Sequence, residues 1–261
     1  RRMRPTSEEA ERYSRDGYLV FRRQILPPES FARLRGKADE TFARAAAGKG
    51  GKEPVLVDCP HWADPSMFEW ILADEMLDLV EPLLGPDIAV FASHFLRKPA
   101  GVGKRLPWHE DRSYWSNLLN PVRVASVSIA VDPCRVENGC LQVIAGTHRK
   151  EGGWRHETIV PDADTYEGLP LEVDQLDMSR KVDLAIEPNE ACIHDGCVVH
   201  GSQVNRSTVR RTVFAVRYFP TDVRFLWKPE QKFQVYLARG RDLAGNRYAD
   251  PARTYAAAGA L

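Results

Sequence analysis

Apolar residues in the first third of the chain recur at helical spacing. Between residues 64 and 84 they fall three or four positions apart and so share one helix face: Phe68, Ile71, Leu72, Met76, Leu79, Val80 and Leu83. Two shorter helices are predicted ahead of this one. The first begins at a capping box of Thr6 and Glu9 and ends at Gly17, and the second runs from residue 29 to 47. A strand over residues 18–25 is predicted between them.

The pattern changes at residue 87 to short apolar or alternating runs bounded by Gly, Pro, Asp and Asn. These runs predict strands at residues 87–98, 105–112, 122–131, 140–145, 182–186, 191–194, 197–200 and 211–219. Many short strands behind a group of helices are typical of a mainly β fold with flanking helices, and a double-sheet jelly roll accommodates this number.

A long polar segment, residues 148–181, interrupts the strand series. Connections of this length inside a compact domain are uncommon and are usually functional covers, so we expect a lid over an active site. The whole chain, residues 1–261, is then expected to be one domain. It would have a helical N-terminal part (about 1–86), a jelly-roll core (about 87–220) and the lid as an insertion.

Composition and charge narrow the function. The chain has 261 residues, of which 43% are hydrophobic, and 36 basic residues balance 36 acidic ones. This balance gives no electrostatic reason to expect a nucleic acid or a membrane as partner, so a small-molecule substrate is expected. Five cysteines without a Cys-x-x-Cys pair predict reduced thiols in a cytoplasmic protein. No apolar signal or membrane-spanning segment is evident, and the absence of an initial methionine leaves open whether the native N-terminus is missing.

Candidate chemistry begins in the predicted strand 105–112. Side chains alternate along a strand, so His109 and Asp111 would project from the same face. With His200 they would form two imidazoles and one carboxylate, the ligand set of non-haem Fe(II) oxygenases. Taken alone, the pair could be two exposed polar residues, and His200 could be an ordinary buried histidine.

Three stretches carry a family resemblance: residues 108–111 (Trp-His-Glu-Asp), residues 137–148 (from Glu-Asn-Gly-Cys-Leu to Ala-Gly-Thr-His) and residues 200–211 (His-Gly-Ser…Asn…Arg). In this order they resemble the phytanoyl-CoA dioxygenase family, from about residue 13 to 219. The resemblance implies an Fe(II)- and 2-oxoglutarate-dependent oxygenase on a double-stranded β-helix, that is, a cupin-like jelly roll.

The resemblance also implies residue roles. His109, Asp111 and His200 would bind iron, and Arg211 would bind the distal carboxylate of 2-oxoglutarate, since a guanidinium can donate two parallel hydrogen bonds to a carboxylate. Arg210 would point to the opposite face and into solvent. Ser202 would donate its hydroxyl to the same carboxylate, although an ordinary strand serine is nearly as good an explanation.

Further residues are expected to line the pocket. His94 is a candidate co-substrate contact and Lys98 a candidate substrate contact, each weighed against a plain surface position. Substrate contacts are also expected from Arg112, Tyr114 and Trp115, which follow the metal-binding segment, although core packing explains Trp115 nearly as well. For His194 we expect a buried, hydrogen-bonded side chain rather than one that reaches the cavity.

The implied reaction uses O2 and 2-oxoglutarate to oxidise an unactivated C–H bond of a small molecule, and secondary metabolism is the expected setting. Hydroxylation is favoured, with desaturation, cyclisation or epimerisation as further outcomes. Halogenation is disfavoured because halogenating relatives lack the carboxylate that Asp111 provides. Two alternatives stay open: a cupin-type metalloenzyme that uses no 2-oxoglutarate, and a jelly roll that binds a small molecule without catalysis. The substrate and the oligomeric state are left open.

Overall fold

The computed structural model describes residues 4–48, 50–51, 53–156, 165, 169–228 and 233–255. The helices in these ranges are α1 (Ser7–Asp16), α2 (Pro28–Ala47), α3 (Phe68–Ile71), α4 (Asp74–Leu84) and α5 (Arg112–Trp115). The strands are β1 (Tyr18–Phe21), β2 (Leu56–Asp58), β3 (Ile88–Lys98), β4 (Leu106–His109), β5 (Leu119–Asn120), β6 (Ala125–Ala130), β7 (Leu141–Ile144), β8 (Lys181–Leu184), β9 (Ala191–Asp195), β10 (His200–Ser202), β11 (Arg211–Pro220), β12 (Arg224–Phe225) and β13 (Tyr236–Arg239).

The predicted capping box of α1 is confirmed. The Thr6 hydroxyl accepts from the Glu9 amide, the Glu9 carboxylate accepts from the Thr6 amide, and Gly17 ends the helix at φ 81°. Glycine suits this position because it adopts a left-handed conformation without a steric penalty.

The single long helix predicted over residues 64–84 is wrong in one respect, because the chain breaks between α3 and α4. Ala73 is extended at ψ 137°, and the Tyr218 hydroxyl donates to the carbonyl of Ile71 at 2.6 Å. That hydroxyl takes the place of the amide that would have continued the helix. The break lets α3 and α4 both bury apolar side chains in the same core, as at Ile71 and Met76.

Two antiparallel sheets form the body of the protein. The larger has the order β1-β9-β6-β11-β3-β13, with β2 also paired to β3, and the smaller has the order β4-β10-β7-β8. This two-sheet arrangement is a jelly roll, so the predicted fold class is confirmed.

The large sheet has two distinct faces, and its central strand β11 shows how they differ. Phe214 and Val216 face the main apolar core, which also contains side chains from α1 to α4. Val213 faces the other way, towards a second, smaller core shared with strands β7 and β8 of the small sheet. Helices therefore cover the outer face of the large sheet, and its inner face is left for a cavity.

No helix within the described ranges is long and apolar enough to cross a lipid bilayer.

Candidate metal centre and active site

A cavity of about 380 Å³ lies between the two sheets. The large sheet contributes polar side chains to its wall from β2, β3, β6, β9 and β11, and the small sheet contributes side chains from β4, β7, β8 and β10. The polar residues along the wall are Asp58, His94, Arg97, Lys98, His109, Asp111, Tyr114, Ser128, His194, His200, Ser202, Arg211 and Arg217.

Two of the predicted ligands face each other across neighbouring strands. His109 of β4 pairs in register with His200 of β10, and their ring centroids lie 4.2 Å apart. Each ring is held by its own backbone: Nδ1 of His109 lies 2.8 Å from the carbonyl of Pro107, and Nδ1 of His200 lies 2.9 Å from that of Val198. A carbonyl can only accept, so Nδ1 carries the proton and Nε2 keeps a lone pair, as metal-binding histidines require.

Asp111 completes the group, but not by the strand alternation that we predicted. Strand β4 ends at His109, and Asp111 is in a helical conformation (φ −63°, ψ −26°) at the start of α5. The turn forms because the Tyr114 amide donates to the Asp111 carbonyl, while the Ser113 amide and hydroxyl both donate to the Glu110 carbonyl. The turn still directs the Asp111 carboxylate to the histidines, and Oδ1 lies 3.7 Å from both Nε2 atoms.

These three side chains fit a divalent transition metal. One donor atom from each of His109, Asp111 and His200 lies within 4.8 Å of the others, and all three residues are buried. The Asp111 Oδ2 atom is buried without a hydrogen-bond partner among the described residues. A buried carboxylate oxygen without a partner is costly, and metal coordination would offset that cost. Two imidazoles and a carboxylate are the donor set of a non-haem iron site.

The protonation states suit metal binding. Burial holds the pKa of His200 well below its ordinary value, and the nearby His109 lowers it further, so the ring is neutral. Burial opposes ionisation of Asp111, but the neighbouring His200 and His109 outweigh it and hold the pKa of Asp111 well below its usual range. A neutral His200 imidazole beside an ionised Asp111 carboxylate is the state that coordinates a metal.

Arg211 and Lys98 lie opposite each other at one end of the cavity, where β11 pairs with β3. Arg210 points away from the cavity and pairs with Asp132 and Asp39, so alternation along the strand separates the two arginines as expected. The Nε atom of Arg211 is buried and has no hydrogen-bond partner among the described residues. A guanidinium in this state is available to an incoming carboxylate.

Lys98 donates to the Ser202 hydroxyl at 2.6 Å and to the main-chain carbonyl of Gln203. Burial and the neighbouring Arg211 lower the pKa of Lys98 to about 6. The structure therefore places Lys98 and Ser202 in the cavity wall beside Arg211, and the plain surface alternative for Lys98 is wrong.

The other predicted contacts divide into two groups. His94, Tyr114 and Trp115 line the cavity, and Nδ1 of His94 lies 2.8 Å from the Asp58 carboxylate. Arg112 does not line it: its guanidinium donates to Glu110 at 2.7 Å and to the main chain of residue 150. Arg112 therefore does not line the cavity as predicted, because its side chain turns away together with Glu110.

Two buried residues of the cavity wall, His194 and Arg217, differ from the sequence-based predictions. His194 reaches the cavity, with Nε2 3.5 Å from the Asp111 Oδ2 atom, whereas we had expected a hydrogen-bonded core histidine. Arg217 was missed altogether. The signal was present, because residues 211, 213, 215 and 217 alternate with the core-facing Phe214 and Val216, so the parity that turns Arg211 inward turns Arg217 inward too.

Part of the predicted lid lies outside the described residues, at positions 157–164 and 166–168. The described part approaches the cavity near α5: the Leu169 amide donates to the Tyr114 hydroxyl at 2.8 Å, and the Trp154 amide donates to the buried Glu110 carboxylate at 3.1 Å. Trp154 also packs with Trp108 against a small apolar cluster. These contacts place the segment against the chain that carries His109 and Asp111.

The family model described as phytanoyl-CoA dioxygenase (PhyH) matches residues 13–213. An ectoine dioxygenase of Stutzerimonas stutzeri is 30% identical over 154 residues, which are 55% of this chain and 50% of that protein. The human peroxisomal phytanoyl-CoA dioxygenase is 22% identical over 246 residues, 85% of this chain and 70% of that one.

Among solved structures, the apo form of ThoJ, described as a non-heme monooxygenase, is similar with a TM-score of 0.71 and 23% identity. The similarity covers 89% of this chain and 84% of that one and shows a common fold. The sequence matches thus span 50% and 70% of the two relatives' length, whereas the fold match covers more than four fifths of both chains.

Proposed function

This chain belongs to the phytanoyl-CoA dioxygenase (PhyH) family of Fe(II)- and 2-oxoglutarate-dependent dioxygenases, and on this premise we propose that it oxidises an unactivated C–H bond of a small molecule. The observation that carries the proposal is the convergence of His109, Asp111 and His200 on one point of a cavity that Arg211 also lines. Hydroxylation is the proposed outcome, with desaturation, cyclisation and epimerisation as variants of the same oxidation.

The proposed roles follow from what each side chain offers. His109 and His200 would present Nε2 to iron, since their Nδ1 atoms are engaged by carbonyls, and Asp111 would present Oδ1. Three protein ligands on one side leave coordination positions for co-substrate and O2. When bound, iron with 2-oxoglutarate and O2 supplies the oxidant and yields succinate and CO2.

Arg211 would bind the carboxylate of 2-oxoglutarate that lies farther from the metal. Its guanidinium lies at the end of the cavity where Lys98 and Ser202 also present polar groups. A planar guanidinium can hold a carboxylate through two parallel hydrogen bonds, which fixes the co-substrate's orientation. Ser202 and Lys98 are proposed as secondary contacts to the same carboxylate.

A small substrate suits the cavity. Its volume of about 380 Å³ is at the lower end of what ligand pockets in proteins enclose. Tyr114 and Trp115 form part of the wall and would exclude water from the reacting carbon. The names of the two relatives refer to different compounds, ectoine and phytanoyl-CoA, so neither substrate is transferred to this chain.

The decisive experiment is anaerobic loading with Fe(II) and 2-oxoglutarate, followed by exposure to O2 with a panel of small molecules and measurement of succinate. We expect substrate-dependent succinate from the wild type and none from Asp111→Asn, which removes the anionic ligand. Asp222→Asn is the matched control, because Asp222 forms an exposed ion pair with Arg123 away from the cavity. Full turnover in Asp111→Asn would contradict the ligand assignment.

The same assay tests the two alternatives. Substrate oxidation without succinate would identify a cupin-type enzyme that needs no 2-oxoglutarate. Failure of the wild type to bind any divalent metal would favour a binding protein without catalysis. We favour neither, because the family uses Fe(II) and 2-oxoglutarate, and the buried Arg211 in the cavity wall offers a guanidinium for the distal carboxylate of that co-substrate.

A further inference from the structure

A second arginine of β11, Arg217, faces the cavity beside the candidate metal centre. Arg217 is only 9% exposed, and its Nε and Nη1 atoms are buried without a hydrogen-bond partner among the described residues. Its nearest anion among the described residues is Asp111, whose Oδ2 atom lies 3.9 Å from Nε, beyond hydrogen-bonding distance. Arg217 is therefore a buried guanidinium whose donors are largely unused.

A buried guanidinium with unused donors lowers the stability of the folded protein. A buried charge without hydrogen bonds is strongly destabilising, and arginine stays protonated even where burial lowers its pKa, as it does here. Buried charges that persist are usually completed by a partner. No described residue supplies that partner within hydrogen-bonding distance, so an anion that enters the cavity is the candidate partner.

The charges of the proposed active site point to the same conclusion. Arg211 and Lys98 are proposed to meet the distal carboxylate of 2-oxoglutarate, and Asp111 is proposed to bind the metal. Arg217 is then left over. Among the described residues, Asp58 is the other acid of the cavity wall, but its side chain is half exposed and lies against His94, so solvent screens most of its effect on Arg217.

The surroundings of Arg217 form a subsite. Across the sheet, Arg217 pairs with Ser126 and Ser126 pairs with His194, so the arginine and the histidine lie two strands apart at the same level. Both ring nitrogens of His194 are buried without a hydrogen-bond partner in the described chain. The ring of Trp115 lies 5.7 Å from the guanidinium carbon and supplies an apolar wall.

We propose that Arg217 is a specificity-determining residue that binds a carboxylate of the substrate, with His194 beside it. This inference rests on the proposed oxygenase function and narrows its substrate to an anionic small molecule. Because Arg217 lies beside Asp111, the substrate's carboxylate would be held close to the metal. The carbon that is oxidised would then lie within a few bonds of that carboxylate.

Two other roles would overturn the proposal, and each makes a different prediction. If Arg217 only positions Asp111, its removal weakens metal binding. If it binds 2-oxoglutarate, its removal weakens co-substrate binding. If Arg217 binds the substrate's anion, its positive charge repels the metal ion in the absence of substrate. Removal of Arg217 then leaves the metal affinity unchanged or raises it.

The first measurement is therefore a titration with Mn(II) alone, followed by spectroscopy of the bound ion, on the wild type, Arg217→Gln and Arg217→Lys. We expect the glutamine variant to bind Mn(II) at least as tightly as the wild type, and 2-oxoglutarate with the same affinity in the metal-loaded state. A tenfold loss of either affinity would overturn the inference. Arg217→Met is the substitute if the glutamine variant does not fold.

The second measurement uses matched probes on protein loaded with Mn(II) and saturating 2-oxoglutarate. Linear carboxylates from butanoate to dodecanoate are titrated calorimetrically against the primary amides of the same chain lengths. We expect at least one carboxylate to bind the wild type more than tenfold tighter than its amide, and Arg217→Gln to bind that carboxylate about 30-fold more weakly, as is typical for the loss of one partner of a buried charge pair. The lysine variant should recover part of the preference.

Absence of any carboxylate preference in the wild type, or its persistence in Arg217→Gln, would overturn the inference while leaving the oxygenase proposal intact. The two failures are distinguishable, because a wild type that binds neither Mn(II) nor 2-oxoglutarate would contradict the proposed function itself.

Discussion

Neighbouring arginines at the start of β11 offer a controlled test at the scale of single residues. Arg211 faces the cavity, while the side chain of Arg210 is 42% exposed and pairs with Asp132 and Asp39. We expect Arg211→Gln to raise the KM for 2-oxoglutarate about 30-fold or more, since losing one partner of a buried charge pair costs roughly 2–5 kcal/mol. Arg210→Gln is the matched control and should leave it within about twofold. Steady-state succinate assays measure both, and the reverse order would move the co-substrate contact to Arg210.

The lowered pKa of Lys98 predicts how the affinity for 2-oxoglutarate depends on pH. Burial and Arg211 lower the pKa of Lys98 to about 6, and a bound dicarboxylate would raise it. The lysine's charge is fully present below pH 6 and is lost as pH rises through the raised pKa of the bound state. Affinity for 2-oxoglutarate should therefore be several-fold higher at pH 6 than at pH 8, with metal kept saturating at both.

The controls for this prediction are Lys98→Met and Lys98→Arg, neither of which titrates in this range. Both should give a nearly flat profile, and the arginine variant should bind more tightly because it keeps the charge. A slope of wild-type size in Lys98→Met would assign the pH dependence to another group.

At this scale the sequence indicated which side chains converge at the candidate metal centre better than it indicated their surroundings. Residue identity and order singled out His109, Asp111, His200 and Arg211. The sequence could not predict which ring nitrogen of each histidine carries the proton, because that depends on contacts with main-chain carbonyls two residues upstream. Arg217 was overlooked although strand parity contains the signal, since it lies outside the three stretches that carry the family resemblance.

Among the elements, the pair β4 and β10 fixes the distance between the two histidines. At Gly201, beside His200 in β10, an added Cβ would meet the carbonyl of Leu106 at 3.0 Å and that of Pro107 at 3.3 Å. These are backbone atoms of β4, so alanine would push the strands apart by a few tenths of an ångström. We expect Gly201→Ala to weaken Mn(II) binding about tenfold or more, because the displaced Pro107 carbonyl also orients the His109 ring through Nδ1, and the loss of such a partner of a metal ligand typically costs about 10–100-fold in affinity.

Gly36→Ala is a suitable control. Gly36 lies on the exposed side of α2 with no atom within 4 Å of an added Cβ, so alanine there should raise stability by about 0.5–1 kcal/mol and leave metal binding unchanged. Titration calorimetry and urea unfolding of both variants separate the effects. Unaltered metal binding in Gly201→Ala would show that β4 and β10 tolerate the displacement.

Element boundaries were predictable where the determinants are local and not where they are distant. The capping box and Gly17 define α1 from a few adjacent residues. The break between α3 and α4 depends on Tyr218, 147 positions from the carbonyl that it contacts. Strand β12 is two residues long and pairs with β5, about a hundred positions away, so no local pattern distinguishes it from a loop.

For the whole molecule, the question is whether the helices and the sheets unfold together. Side chains of α1 to α4 share one core with the outer face of the large sheet. Helix α2 is also tied to this sheet by charge, because Asp39 pairs with Arg97 of β3 and with Arg210. We therefore propose that the helical part and the jelly roll form one domain, as expected from the sequence.

Phe42 tests this proposal, because it belongs to a helix but packs on the sheet. It is fully buried on α2, its ring centroid lies 6.4 Å from that of Phe95, and the Arg97 guanidinium lies 4.0 Å from the ring centre. Phe42→Ala should lower the free energy of unfolding by about 3–5 kcal/mol through lost burial and the cavity left behind.

If the chain is one cooperative unit, that loss lowers the urea midpoint equally for far-UV circular dichroism and for tryptophan fluorescence, with an unchanged slope. Saturating Mn(II), which would bind only the folded site, should raise both midpoints together in wild type and variant. If the substitution instead moves an early transition, while Mn(II) moves a separate later one, the helices and the jelly roll are independent, and the metal centre does not depend on the helical layer behind it.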